Sequence, residues 1–233
     1  MKNLVCHLGN VPNVTIITAT YNRQTLLKTC IESVIAQTYT DWEYIIVDDG
    51  SEDNTSELVK TYMKRDSRIR YVSHSNRRQP MSLNVGLRMA AGTYTCFLDS
   101  DDYFLPNHIE SRLGYLENHS SIDFVYGGLK VMGSDYVPDA NDPTKKIHVD
   151  ECAGLHSFFG ETSIYREVGG FKDITIGDNG QERGIGVDKH MLDKIKKGSY
   201  STKRLTEDKY RTAVYVRTED SITVQFEKIY QLN

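Results

Sequence analysis

The chain has 233 residues, a formal net charge of -4 and 39% hydrophobic residues. This length can bury one sizeable core, so the composition predicts a single globular domain. The negative balance excludes a broad electrostatic attraction to nucleic acid or to an anionic membrane surface, so any polyanion must bind locally.

Cysteine usage and hydropathy favour a cytoplasmic protein. The four cysteines (Cys6, Cys30, Cys96 and Cys152) are scattered and lack the paired spacing of a zinc site. Scattered cysteines of this kind are typical of reduced thiols in the cytosol. No run approaches the roughly 20 apolar residues that span a bilayer, so we expect no transmembrane segment. Peripheral association with a membrane stays open.

Strands and helices alternate in the first part of the chain. In chain order the hydrophobic pattern predicts strands over 14–19, 42–47, 69–73 and 93–98, with helices over 23–37, 56–65 and 83–91 between them. This alternation is typical of a parallel α/β sheet with helices on its faces.

The second part of the chain is less regular. Pro106 opens a predicted helix over 107–118, and the stretch 123–133 predicts a strand that glycine interrupts. The stretch 134–151 has no clear period, so it is either an ordered excursion or a mobile loop near a site.

Two acidic clusters follow predicted strands. Asp48 and Asp49 end the second strand, and Asp99, Asp101 and Asp102 follow the fourth. Since ligands bind at the carboxyl edge of open α/β sheets, we expect these carboxylates to converge on a binding crevice. Two like charges about 4 Å apart repel by roughly 4 kcal/mol at an effective dielectric near 20, which favours a bound divalent cation, Mn²⁺ or Mg²⁺. Asp, Ser and Gly are also common in ordinary turns, so neither cluster alone decides the matter.

Together the two clusters carry a family resemblance. The segments "VTIITATYNRQTLLKTCIESVIAQTYTDWEYIIVDDGSEDNT" and "LNVGLRMAAGTYTCFLDSDD" closely resemble the nucleotide-binding half of glycosyltransferase family 2, and weaker similarity continues through "SIYREVGGF" to "RTEDSIT". The resemblance implies an α/β GT-A fold, with a Rossmann-like, mainly parallel sheet flanked by helices. It implies one domain over 1–233, with a nucleotide-sugar-binding half over 12–106 and an irregular acceptor-binding half over 107–233.

The resemblance assigns the nucleoside to three residues. The backbone of Ala19 contacts the nucleoside, and the ring of Tyr21 suits stacking on a base. In uridine-dependent members a carboxylate at the position of Asp49 accepts a hydrogen bond from the pyrimidine ring N–H. The neighbouring Asp48 is then expected to order the turn.

The family's DXD motif maps onto Asp99, Ser100 and Asp101. The resemblance implies that Asp99 and Ser100 lie at the nucleotide sugar, with Asp99 near the ribose. It implies that Asp101 binds the metal ion, and it leaves Asp102 as a neighbour without an assigned role.

An inverting transfer needs a carboxylate base on the acceptor side, and the family position points to Asp188. The alternative is a helix N-cap, since Asp188 precedes a run of apolar residues at helical spacing. Val187 stands where the family usually has an acidic residue, which supports that alternative. Glu182 and Asp178 are reserve candidates in the same glycine-rich stretch.

Two further positions depart from the family pattern. Leu83 stands where a basic residue is often found, and Arg77 or Arg78 either supplies the missing charge or is a solvated loop residue. Near the end of the chain no histidine is present where some members recruit one to the metal. Either Glu219 takes the place of that histidine, or no residue fills the position.

The sequence therefore predicts a metal-dependent, inverting, hexosyltransferase-like enzyme that uses a nucleotide-diphosphate sugar, most simply a UDP-linked one. Its acceptor would be a carbohydrate, a lipid-linked group or a protein, in polysaccharide or glycoconjugate synthesis. The alternative is a non-catalytic sugar-nucleotide-binding module of the same fold. A phosphoacceptor receiver domain also pairs aspartates at strand ends, but it needs only about half this length.

Overall fold

The structure, a computed structural model, describes residues 11–132, 136–138, 145–148, 154–173 and 187–216. The candidates Asp178, Glu182 and Glu219 lie outside these residues. Among the described residues, no helix has the length and apolar character needed to cross a membrane.

The first half alternates strand and helix as predicted. Its elements are β1 (Val14–Thr20), α1 (Gln24–Ile35), β2 (Trp42–Asp48), α2 (Thr55–Met63), β3 (Ile69–Ser73), α3 (Gln79–Met89) and β4 (Tyr94–Phe97). The main difference is that α3 begins at Gln79 rather than at Leu83. Pro80 lies in its first turn, where the missing N–H of proline has no helical partner to lose.

The second half is built from short elements. They are β5 (Tyr103–Phe104), α4 (His108–Asn118), β6 (Phe124–Gly127), β7 (Leu129–Val131), β8 (Tyr136–Pro138), β9 (Lys146–His148), β10 (Phe159–Glu161), α5 (Thr162–Glu167), α6 (Val187–Lys197), β11 (Thr202–Leu205) and β12 (Ala213–Tyr215). The strand predicted over 123–133 is two strands separated at Gly128, which has φ +70°. The stretch 134–151 contributes β8 and β9, which pair antiparallel.

Seven strands form the central sheet in the order β11-β6-β10-β4-β1-β2-β3. The carboxyl ends of β1, β2 and β3 are level, since Thr20 pairs with Asp48 and Asp48 pairs with Ser73. β10 alone runs antiparallel to its neighbours, with Phe159 opposite Cys96. The amino end of β10 therefore lies at the edge where the parallel strands end.

The core lies on both faces of this sheet. Alternate residues of β1 serve the two faces, with Ile16 on one and Ile17 on the other. Helices α1, α2 and α4 cover the first face, and α3, α5 and α6 cover the second. A Cβ at Gly86 would overlap the Ile17 side chain, so α3 needs glycine there to approach the sheet closely.

Two of the four cysteines, Cys30 and Cys96, are free thiols in this core. Burial raises the pKa of each thiol to about 12. Neither is a thiolate at neutral pH, so neither is a candidate nucleophile.

One residue before α3 has an unusual backbone. Arg78 has φ 71° and ψ 157°, a region that is essentially restricted to glycine. A side chain held there costs about 1–3 kcal/mol of strain. The chain turns at this point from the end of β3 into α3.

We expect Arg78→Gly to be about 1 kcal/mol more stable than Arg78→Ala, because both lack the guanidinium but only alanine keeps a Cβ in this region. Urea unfolding followed by circular dichroism gives both free energies of unfolding. Lys60, exposed within α2, is the control, since there alanine should be the more stable by about 1 kcal/mol. The same ranking at both positions would contradict a strained backbone at Arg78.

Candidate active site

The doubled carboxylate at the end of β2 has two separate roles. Asp48 is buried, and its Oδ1 accepts from the Ser51 N–H at 2.8 Å while its Oδ2 accepts from the Tyr71 hydroxyl at 2.6 Å. Oδ1 thus orders the turn after β2, and Oδ2 ties that turn to the neighbouring strand β3. This confirms the expectation that one carboxylate of the pair is structural.

Asp49 points to a different set of neighbours. Its Oδ1 accepts from the Arg77 N–H at 2.8 Å and lies 3.5 Å from the His74 Nδ1. Its own N–H donates to the Thr20 carbonyl at 2.8 Å, which joins it to the end of β1. Asp49 therefore lies between the end of β1 and the segment that connects β3 to α3.

The loop after β1 lies beside the loop after β2. Asn22 connects them, because its N–H donates to the Ser51 Oγ at 2.9 Å and its Oδ1 accepts from the Glu52 N–H at 2.8 Å. Ala19, near the end of β1, is buried, and Tyr21 is 45% exposed just beyond that strand. Tyr21 thus presents an aromatic surface at the same edge as Asp49.

The second acidic cluster meets a histidine. The His156 Nδ1 lies 3.2 Å from the Asp102 Oδ2 and 3.5 Å from the Asp99 Oδ2. His156 belongs to the turn Leu155–Ser157, immediately before β10. The antiparallel direction of β10 brings this turn to the carboxyl edge of the sheet.

Burial and charge control the protonation of this cluster. Burial raises the pKa of Asp102 well above its usual value, His156 opposes the rise, and the charges of Asp99 and Asp101 add to it. Burial lowers the pKa of His156, but Asp102 and Asp99 outweigh that effect and the net direction is upward. A cation bound here would favour the charged forms of these carboxylates, which burial and their mutual repulsion oppose.

The cluster fits a divalent metal ion. Asp99, Asp102 and His156 each offer one ligand atom, and these atoms lie within 4.8 Å of one another. Asp102 Oδ2 and both ring nitrogens of His156 are buried and have no hydrogen-bond partner among the described residues. Two carboxylates and an imidazole suit Mn²⁺. The Val216 N–H donates to the Asp102 Oδ1 at 2.8 Å and orients that carboxylate.

The other residues of the DXD motif lie beside this group. Ser100 is buried, and Asp101 is half-buried. Burial raises the pKa of Asp101, the charge of Asp99 adds to the rise, and Arg23 opposes it. The sequence assigned the metal to Asp101 and gave Asp102 no role, whereas the structure groups Asp102 with Asp99 and His156.

Asp188 lies in the first turn of α6 and is half-buried. Burial raises its pKa, the Lys189 N–H opposes the rise, and the negative charge of Asp99 adds to it. His156 also acts on Asp188, so this carboxylate lies within electrostatic range of the second cluster. Its Oδ1 accepts from the N–H of the next residue, Lys189, at 2.7 Å. An N-cap side chain would instead bond two or three residues onward, which weakens the cap alternative.

Sequence reasoning missed His156. It is a single histidine in "GLHSFF", and a search for histidine pairs at helical spacing passes over it. Only the pairing of β10 with β4 brings it to the acidic cluster. The sequence signal that could have pointed to a further ligand was Asp102, an additional carboxylate beyond the DXD motif.

Solved structures share this fold at low identity. Residues 1–349 of S. aureus TarS, in complex with UDP-GlcNAc, superpose with a TM-score of 0.71 and 16% identity over 94% of this chain and 66% of that one. The mannosyltransferase PcManGT from Pyrobaculum calidifontis, in complex with GDP-Man and Mn²⁺, gives a TM-score of 0.68 and 18% identity over 94% and 61% of the two chains. The fold is that of a GT-A glycosyltransferase.

A family model described as "Glycosyl transferase family 2" matches residues 15–167. The chain belongs to glycosyltransferase family 2, which confirms the resemblance drawn from the sequence. Relatives from Bacillus subtilis include the uncharacterized glycosyltransferase EpsJ, 37% identical over 55% of this chain and 38% of that protein. The putative glycosyltransferase EpsE is 31% identical over 72% of this chain and 63% of that protein. The alignments thus span less than two thirds of either relative.

We expect Mn²⁺ to bind at the second cluster, so Asp102→Asn and His156→Asn should each weaken Mn²⁺ binding by at least about tenfold. Electron paramagnetic resonance of free Mn²⁺ during a titration measures that affinity. Asp193→Asn, at an exposed acid paired with Lys189 on α6, is the matched control. Normal binding by the two variants, with loss only in Asp101→Asn, would return the ion to the position that the sequence predicted.

Proposed function

We propose that this protein transfers a sugar, with inversion, from a nucleotide-diphosphate sugar to an acceptor hydroxyl. The observation that carries the proposal is the position of Asp188. This carboxylate comes from the second half of the chain, and it lies within electrostatic range of Asp99 and His156 at the edge of the sheet. A site that only bound nucleotide would need no such group beside its acidic motif.

A UDP-linked donor is the simplest proposal for the nucleotide. TarS structures in complex with UDP-GlcNAc and with UDP share the fold over most of this chain. Asp49, at the end of β2, offers a carboxylate that can accept from a pyrimidine ring N–H. Tyr21 supplies an exposed ring at the same edge for stacking on the base. Ala19 and Ser100 complete the proposed donor contacts.

In the proposed reaction Asp188 acts as the general base. The acceptor oxygen forms a bond to the anomeric carbon while the bond from that carbon to the diphosphate oxygen breaks, and the acceptor proton passes to Asp188. A raised pKa brings this carboxyl closer to the working pH, which suits a general base. No covalent bond between enzyme and sugar forms.

A divalent ion, Mn²⁺ or Mg²⁺, would supply positive charge for the departing diphosphate. Asp99, Asp102 and His156 are the residues grouped to hold it, with Asp101 beside them. Asp99 is also the proposed contact to the ribose, so the nucleotide and the ion would meet at this residue.

The acceptor side belongs to the second half of the chain. We propose that residues 12–106 form the donor half and that residues 107–233 form the acceptor half of one GT-A domain. The acceptor would be a carbohydrate, a lipid-linked group or a protein, as in polysaccharide or glycoconjugate synthesis.

Tyr21→Ala and Asp49→Ala should each weaken UDP binding by about tenfold, whether or not metal is present, because both residues serve the nucleoside. Isothermal titration calorimetry in manganese and in chelator measures the affinity. Tyr136→Ala, at another exposed tyrosine, and Asp193→Ala are the controls. UDP affinity unchanged in both site variants would remove these residues from the donor site.

Asp188→Asn should leave UDP binding nearly intact and lower the transfer rate by about a hundredfold to ten-thousandfold, since a base on the acceptor side acts only in the transition state. Single-turnover transfer of labelled sugar, UDP affinity and melting temperature are measured on the same variant. In the wild type the rate should fall as the pH drops through the raised pKa of Asp188, because the protonated carboxyl cannot accept a proton.

Asp193→Asn on the same helix is the control and should transfer at the normal rate. A less stable Asp188→Asn protein with near-normal transfer would show that Asp188 is only a helix residue. A wild type that binds UDP but transfers no sugar to any acceptor would favour the non-catalytic binding module.

A further inference from the structure

Three consecutive residues before and within α3 contact three different acids. The Arg77 N–H donates to the Asp49 Oδ1 at 2.8 Å. The Arg78 guanidinium pairs with the Asp173 Oδ2 at 3.1 Å, and the Gln79 Nε2 donates to the Asp99 Oδ1 at 2.7 Å. The tripeptide 77–79 thus connects the acidic residue after β2 with the acidic residue after β4.

The strained residue lies between these two contacts. Arg78 has φ 71° and ψ 157°, and it separates the Arg77 N–H on Asp49 from the Gln79 amide on Asp99. Backbone strain of this kind persists only where surrounding contacts hold it, and it is concentrated at functional sites. In this conformation the Gln79 amide donates to Asp99.

The contact from Gln79 restrains the orientation of the Asp99 carboxylate. Gln79 occupies Oδ1, while Oδ2 lies 3.5 Å from the His156 Nδ1. A hydrogen bond to one oxygen restricts rotation of the carboxylate and so favours one direction for the other oxygen. Gln79 itself is exposed, so the fold does not depend on burying its side chain.

We propose that Gln79 is a positioning residue of the donor site, which orients the Asp99 carboxylate toward the bound nucleotide and its ion. This inference rests on the proposed function, because it names how the same site is organised. The amide is suited to this role since it is a neutral donor. It fixes the carboxylate without neutralising the charge that would attract a cation.

The test compares Gln79→Ala and Gln79→Glu with wild type for UDP binding by calorimetry, in Mn²⁺ and in chelator. Both variants should lose about tenfold in affinity, the scale typical of groups that orient metal ligands. In chelator Gln79→Glu should lose more than Gln79→Ala, because glutamate has a similar shape but adds a negative charge against Asp99 and the diphosphate. Met81→Ala, at an exposed residue of the same helix turn, should bind like wild type.

The metal dependence of the loss identifies what Asp99 contacts. Loss in both conditions supports positioning of Asp99 at the ribose, and loss only in Mn²⁺ supports positioning of Asp99 at the ion. Normal UDP affinity of both Gln79 variants in both conditions would overturn the inference and leave the proposed function standing. A wild type that binds no UDP would overturn both.

Melting temperatures separate positioning from stability. The exposed Gln79 variants should melt within about 2 °C of wild type, as expected for surface substitutions. A fall in melting temperature that parallels the loss of affinity would overturn the inference, since the amide would then stabilise the fold.

Discussion

Mutual repulsion among the carboxylates of Asp99, Asp101 and Asp102 is the constraint on which the site depends. Burial strengthens this repulsion and raises the pKa of both Asp101 and Asp102. Two groups contact the Asp102 carboxylate and stabilise its charged form: the imidazole of His156 and the backbone N–H of Val216. These contacts oppose the rise in the pKa of Asp102 without removing it. A cationic or metal-bound ligand would oppose it further and would be favoured at this edge of the sheet.

The two acidic clusters follow similar sequence patterns but differ physically. Asp48 has one oxygen bonded to its own turn and the other to Tyr71 on β3, so its charge stabilises the fold. Asp102 has one oxygen bonded to the Val216 N–H and the other facing His156, so its charge remains available. The distinction lies in the partners that each carboxylate meets, and residue type alone does not reveal those partners.

Strands of the first half could be predicted because their β-branched runs bury residues on both faces. The start of α3 could not, because its first turn contains proline and polar residues and lacks an apolar repeat. Asp49 and Asp99, which the sequence singled out, follow strands that end at the edge of the sheet, and Asp188 lies within electrostatic range of Asp99, while the roles of all three stay predictions. The position of His156 beside the acidic cluster could not be predicted, because it depends on the antiparallel pairing of β10 with β4. Local hydrophobic periodicity does not indicate which distant segments pair.

The reversed direction of β10 has a consequence for how members of this family can diversify. Asp102 comes from the first half of the chain, but its neighbour His156 and the Val216 N–H that bonds it come from the second. A recombinant chimera that joins residues 12–106 to the second half of a relative would therefore inherit a foreign set of partners for Asp102. On the proposed assignment of the acceptor to the second half and of a metal ion to Asp102, acceptor preference and metal preference should then change together when halves are exchanged.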